Sequence, residues 1–145
     1  MDIKTRVEIL IKKHKTNCPF TLADKLNIHI LYEPLGATLG YFSKDFRFKF
    51  IHINQDILPE YQKFVCAHEI GHAILHPDVN TPFLSQHTLF SISKIERQAN
   101  KFAVEFIMPD NLLKETECSI YSLAASLGIP ESLADLKMIR RVDIP

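Results

Sequence analysis

The segment PEYQKFVCAHEIGHAILHP, residues 59 to 77, restricts the fold more than any other part of the chain. Asp56 and Pro59 open a helix, with proline in the first turn where its missing N–H costs nothing, and Pro77 stops it. His68 and His72 are then i and i+4, about 40° apart around the axis and about 6 Å apart along it, so both imidazoles reach one metal from the same face. Glu69 is turned about 100° from His68, beside the metal, where its carboxylate can take a proton from a water that the metal activates. A catalytic zinc takes three protein ligands and keeps one position open. The fold must therefore bring a third ligand to this helix from elsewhere.

Glu96 is the candidate. It lies on a second predicted helix, Lys94 to Ile107, whose core stripe is Ile95, Ala99, Phe102, Ala103 and Phe106 and which ends before Pro109. Glu96 completes a His₂Glu set. Asn100, one turn later on the same side, can accept the second ring N–H of a ligand histidine through its side-chain oxygen. His76 is about 12 Å along the helix from His68, too far for both to reach one ion, and is assigned to capping or packing. Gly71 in mid-helix costs up to about 1 kcal/mol relative to alanine, which predicts a close approach, here assigned to the sheet. Tyr41 and His87 are the residues able to polarise a substrate carbonyl if the fold carries them to the metal. His14, His29, His52 and His87 have no metal spacing and read as ordinary surface or edge residues, and Cys66 is on the far side of the helix from His68.

Before this helix the hydrophobic period changes twice. Ile3, Val7, Leu10 and Ile11 have helical spacing, and Thr21 precedes a short helix, Leu22 to Leu26. From 28 to 54 the period is two: IHILYE, LGYF and RFKFIHIN, with Pro34, Gly36, Gly40 and Ser43 to Asp45 as breaks. In the third strand Phe48 and Phe50 face one way and Arg47 and Lys49 the other, the alternation of a sheet packed on one side. Residues 78 to 93 show no period, and 110 to 141 read as two or three short helices with a break at Gly128-Ile-Pro130. The expected class is α+β. A zincin-like core, residues 1–109, would hold a small antiparallel three-stranded sheet against the H-E-x-x-H helix and the second ligand-bearing helix. Residues 110–145 would form a C-terminal helical extension on the same domain.

Composition excludes other classes. At 145 residues, 46% hydrophobic and 23% charged, the chain has the make-up of one folded domain. Lys+Arg and Asp+Glu are 17 each, so no net field draws the molecule to nucleic acid or an anionic membrane. MDIKTRVEILIKKHK has too short an apolar run for an export signal, and no stretch of about 18 residues is apolar enough to span a bilayer. A cytoplasmic location is expected. Cys18, Cys66 and Cys118 are odd in number and widely spaced, which fits reduced thiols. Residues 119 to 141 also admit a helix-turn-helix reading, with Gly128 in the turn and Arg140 and Arg141 near phosphate, but three cations against two carboxylates are too few for strong phosphate binding. Direct nucleic-acid binding is therefore not the expectation. A non-catalytic antirepressor is the other alternative, disfavoured because a structural metal has no use for Glu69.

FVCAHEIGHAILH at 64 to 76 and IERQANKFAVEFIMP at 95 to 109 together resemble the ImmA/IrrE family of zinc metallopeptidases, whose members pair an H-E-x-x-H helix with a later E-x-x-A-[N/D]-x-F-A…MP helix. LGYF and IHIN are similar to the family's strands, so the resemblance spans roughly residues 20 to 110. By position it implies one zinc ion held by His68, His72 and Glu96, Glu69 as general base, and Asn100 behind a ligand, where family members often carry Asp. The short members, found in phages and mobile elements, cleave a helix-turn-helix repressor, and some longer ones govern stress responses. The resemblance implies a protein substrate of that kind and no membrane partner.

Overall fold

The structure, a computed structural model, describes residues 1–78, 83–84 and 93–137. Helix α1, Ile3–His14, starts where the Asp2 carboxylate accepts the Thr5 N–H at 2.7 Å. Helix α2, Pro19–Lys25, begins earlier than Thr21 predicted: Pro19 takes the first position and Thr21 lies inside the helix, because the pre-set φ of proline starts the turn without a side-chain cap. Strands β1, Ile28–Glu33, β2, Thr38–Asp45, and β3, Phe48–Asn54, follow. Helix α3 is Pro59–Leu75, with Leu58 and not Asp56 as its cap residue, and helix α4 is Lys94–Ile107. Between them β4, Phe83–Leu84, adds two residues to the sheet. Helices α5, Asp110–Glu115, and α6, Ile120–Ser126, precede a 3₁₀ turn, Glu131–Leu136. No described helix is long and apolar enough to cross a membrane.

The sheet departs from the antiparallel three-stranded expectation. Its order is β1-β3-β2-β4. The stretch Ser43 to Asp45 is strand and not a break. The hairpin turns at Phe46-Arg47, and β3 returns antiparallel to β2 and inserts beside β1, to which it is parallel. The buried face of β3 is also the opposite of the aromatic one: Ile51 and Ile53 are fully buried, while Phe48 is half exposed. Alternation defines two faces without saying which is the inner one, and here the inner one carries Ile51 and Ile53 together with Phe42 of β2, the register partner of Ile51.

Helix α3 lies across this inner face and against α4. Gly71 serves the helix contact and not the sheet, since an added Cβ would be 3.1 Å from Phe102 Cβ on α4. Buried charges tie the ends of the chain to α4. The Lys4 ammonium, 1% exposed, donates to Asp110 Oδ1 at 2.7 Å, and the Lys137 ammonium is 2.5 Å from Glu105 Oε1 and 2.9 Å from Asp110 Oδ1. Lys137 is thus occupied inside the fold. The segment read as a possible helix-turn-helix contains α6 and a six-residue 3₁₀ turn, and Arg140 and Arg141 lie outside the described residues.

Candidate metal centre

Helix α3 presents His68, Glu69 and His72 on its buried side, and α4 presents Glu96 in its first turn, where the Ser93 hydroxyl accepts the Glu96 N–H. The cap fixes where α4 begins and so where Glu96 points. All four side chains are buried, none more than 2% exposed. One nitrogen each of His68 and His72 and a Glu96 oxygen lie within 4.8 Å of one another, a group that could hold a metal ion. His68 Nε2 is 3.0 Å from Glu96 Oε2, and His72 Nε2 is 2.8 Å from Glu96 Oε1. Two ligand atoms each about 2.05 Å from a tetrahedral ion are about 3.3 Å apart, and the two histidine–glutamate distances are within about half an ångström of that spacing.

Polar satisfaction tests whether a metal fits. Neither His72 Nε2 nor Glu96 Oε1 has a hydrogen-bond partner despite their proximity, and both Glu69 oxygens and His72 Nδ1 are likewise buried without one. Buried polar atoms are seldom left so, and a cation placed between His72 Nε2 and Glu96 Oε1 would satisfy both. His68 Nδ1 is 2.7 Å from Asn100 Oδ1. Donation of the Nδ1 proton to that oxygen leaves the Nε2 lone pair facing Glu96 and the cluster.

The protonation preferences agree with this donor set. Burial lowers the His68 pKa and the neighbouring His72 adds to the effect, against the pull of Glu96, so the ring stays neutral. Burial alone would raise Glu96, but the two imidazoles beside it, His68 first and then His72, outweigh burial and hold the carboxyl at about 2. Glu69 is pushed well above the usual carboxylate range by burial, with the Glu96 charge adding to it. One carboxylate is set to stay ionised and the other to accept a proton.

Other predicted residues fall elsewhere. His76 closes α3, with its backbone N–H on His72 O and its Nε2 2.7 Å from Gln98 Oε1. Tyr41 is not at the cluster: its ring stacks on His52 at 4.1 Å on the outer face of the sheet, while its neighbour Gly40 faces α3. His87 lies outside the described residues. His52, read as an ordinary surface or edge residue, is on the interior strand β3, where it bonds Glu33 on β1 and, at 2.8 Å, Ser43 on β2. Gly40 was missed as a site residue. A Cβ there would be 2.6 Å from Val65 Cγ1, 2.7 Å from His52 O and 3.8 Å from Glu69 Cγ, so only glycine lets β2 close over Glu69. The signal was an isolated glycine inside a strand pattern.

The model of the IrrE N-terminal-like domain, Peptidase M78, matches residues 23–138. Uncharacterized immunity region protein 2 of Bacillus phage phi105 is 44% identical over 139 residues, covering 93% of this chain and 88% of the phage protein. Metallopeptidase ImmA of Bacillus subtilis (strain 168) is 34% identical over 143 residues, covering 94% of this chain and 83% of that protein. With a family match over most of its length and these two relatives, the chain belongs to the ImmA/IrrE family of metallopeptidases.

Proposed function

We propose that this chain is a zinc-dependent endopeptidase that cleaves a helix-turn-helix repressor and so induces a phage, a mobile element or a stress response from within the cytoplasm. The observation that carries the reading is the pair of converging, unpartnered atoms His72 Nε2 and Glu96 Oε1, with His68 Nε2 beside them. His68, His72 and Glu96 are the ligands. Asn100 holds the His68 ring in the tautomer that offers Nε2. Bound there, zinc supplies a water acidified towards neutral pH and a Lewis acid for the peptide carbonyl. Glu69 takes the proton of the attacking water and returns it to the leaving amine nitrogen. Its raised proton affinity suits the first of these steps, taking the proton.

The peptidase unit is residues 1–109, with residues 110–145 as its C-terminal extension, of which the 3₁₀ turn Glu131–Leu136 packs on α4. Strand β3 is interior to the sheet, between β1 and β2, so an extended substrate has no free edge of β3 to pair with. Phage immunity, the context in the name of the phi105 relative, and the name of the B. subtilis relative support a repressor as substrate. The test is cleavage of the cognate repressor by wild type and Glu69→Gln, each with zinc content measured. The reading predicts that the variant keeps zinc and loses cleavage by at least about a hundredfold; equal cleavage by the two would overturn it.

A further inference from the structure

The hairpin tip between β2 and β3 carries three local costs that no contact among the described residues relieves. Phe46 has φ 55°, with positive φ at only the first of the two turn residues, a position that favours glycine and penalises a bulky side chain. The same side chain is 91% exposed, the most exposed large apolar group among the described residues. Lys44 and Lys49 are register partners, like charges directly opposite each other, which is unfavourable in a strand pair. Arg47 adds a third cation, its guanidinium 5.8 Å from the centre of the Phe48 ring, against the single carboxylate of Asp45. Strain maintained where it brings no internal contact points to a partner outside the molecule.

The tip is mechanically continuous with the metal centre. β2 passes Glu69 at Gly40 and reaches Phe46 six residues later, about 20 Å away at about 3.3 Å per residue. A 100-residue domain has a radius of gyration of about 13 Å, so one protein partner can touch both places. Since the centre itself is buried, first contact with a substrate has to be made on an exposed element.

We infer that the Phe46 tip is a docking site for the polypeptide substrate, taking an acidic, apolar segment: Phe46 enters an apolar pocket, and carboxylates of the partner meet Lys44, Arg47 and Lys49. The inference deepens the peptidase reading and rests on it for the partner being the substrate. An apolar anchor relieves the exposure, and anions between the lysines relieve their repulsion. Phe46 is a specificity residue here, remote from the reacting atoms.

The test uses full-length Glu69→Gln protein with zinc and two fluorescein-labelled 12-residue peptides, one alternating Glu with Leu and Phe, the other with Lys in place of Glu. The acidic peptide is expected to bind at least about tenfold tighter than the basic one, Phe46→Gly to weaken it about tenfold, and Phe46→Trp to restore binding to within about threefold. Lys44→Glu with Lys49→Glu should weaken it as well. Phe46→Gly is expected to melt no lower than wild type, since glycine relieves the backbone. Equal binding of the two peptides, unchanged binding by Phe46→Gly, or a fall of several degrees in its Tm would overturn the inference. So would tip-dependent sedimentation with phosphatidylglycerol vesicles in place of peptide binding. Peptide binding at the tip of a wild-type protein that hydrolyses nothing would instead refute the peptidase reading alone.

Discussion

His72 Nε2 and Glu96 Oε1 stand 2.8 Å apart on two different helices, and neither has a hydrogen-bond partner. Atoms of this kind are brought together and left unsatisfied where a cation is to be shared between them. Glu96→Ala removes one of the three proposed ligands. If the roughly 10–16 kcal/mol of a structural zinc site is a guide to what each ligand contributes, zinc affinity should fall by on the order of a hundredfold or more. Competition titration against a chromogenic chelator measures this, and the apo variant should remain folded because α4 keeps its buried apolar stripe.

Asn100 acts on the metal only through His68, 2.7 Å away. A carboxylate in its place would polarise the ring more strongly, so Asn100→Asp should tighten zinc binding, and Asn100→Ala should loosen it by about 10- to 100-fold. The same titration reads both variants, and identical affinities in all three proteins would remove Asn100 from the site.

Gly40→Ala forces a methyl group to within 2.6 Å of Val65 and 2.7 Å of the His52 carbonyl. The strand or the helix must move apart, at a cost of about 1–3 kcal/mol. Chemical denaturation should show that loss, and activity should fall further than stability alone explains because Glu69 shifts with α3.

Asp110 links pH to stability. Burial would raise its pKa, but Lys4 and Lys137 outweigh burial and lower it below the usual carboxylate value. A carboxyl with a lowered folded-state pKa stabilises the protein above its unfolded value of about 3.9, and that stabilisation disappears as pH falls through the folded value. Asp110→Asn should therefore lower Tm near pH 7, with the gap from wild type holding down to about pH 5 and closing below about pH 4. Melting curves from pH 7 to pH 2.5 give the comparison, and a gap that widens in acid would contradict it.

The sequence made some of this legible for a physical reason. The i, i+4 histidines and a carboxylate beside the apolar stripe of a second helix are local patterns, and two helices that bury facing stripes bring such residues together. Strand order is not local. Three short alternating strands are compatible with several pairings, and only the two-residue turn at Phe46-Arg47 and the insertion of β3 beside β1 decide between them. Tyr41 was misplaced for the same reason, since neither face of β2 is labelled in advance. Nothing local marks Lys4 and Lys137 as buried, because the carboxylates that let them be buried are 106 and 32 positions away.

The most direct measurement is an anomalous difference map collected at the zinc absorption edge from crystals of the zinc-loaded protein. The account predicts one peak about 2.1 Å from His68 Nε2, His72 Nε2 and a Glu96 carboxylate oxygen, with no fourth protein ligand. A peak elsewhere, or one whose remaining position is filled by another side chain, would contradict it.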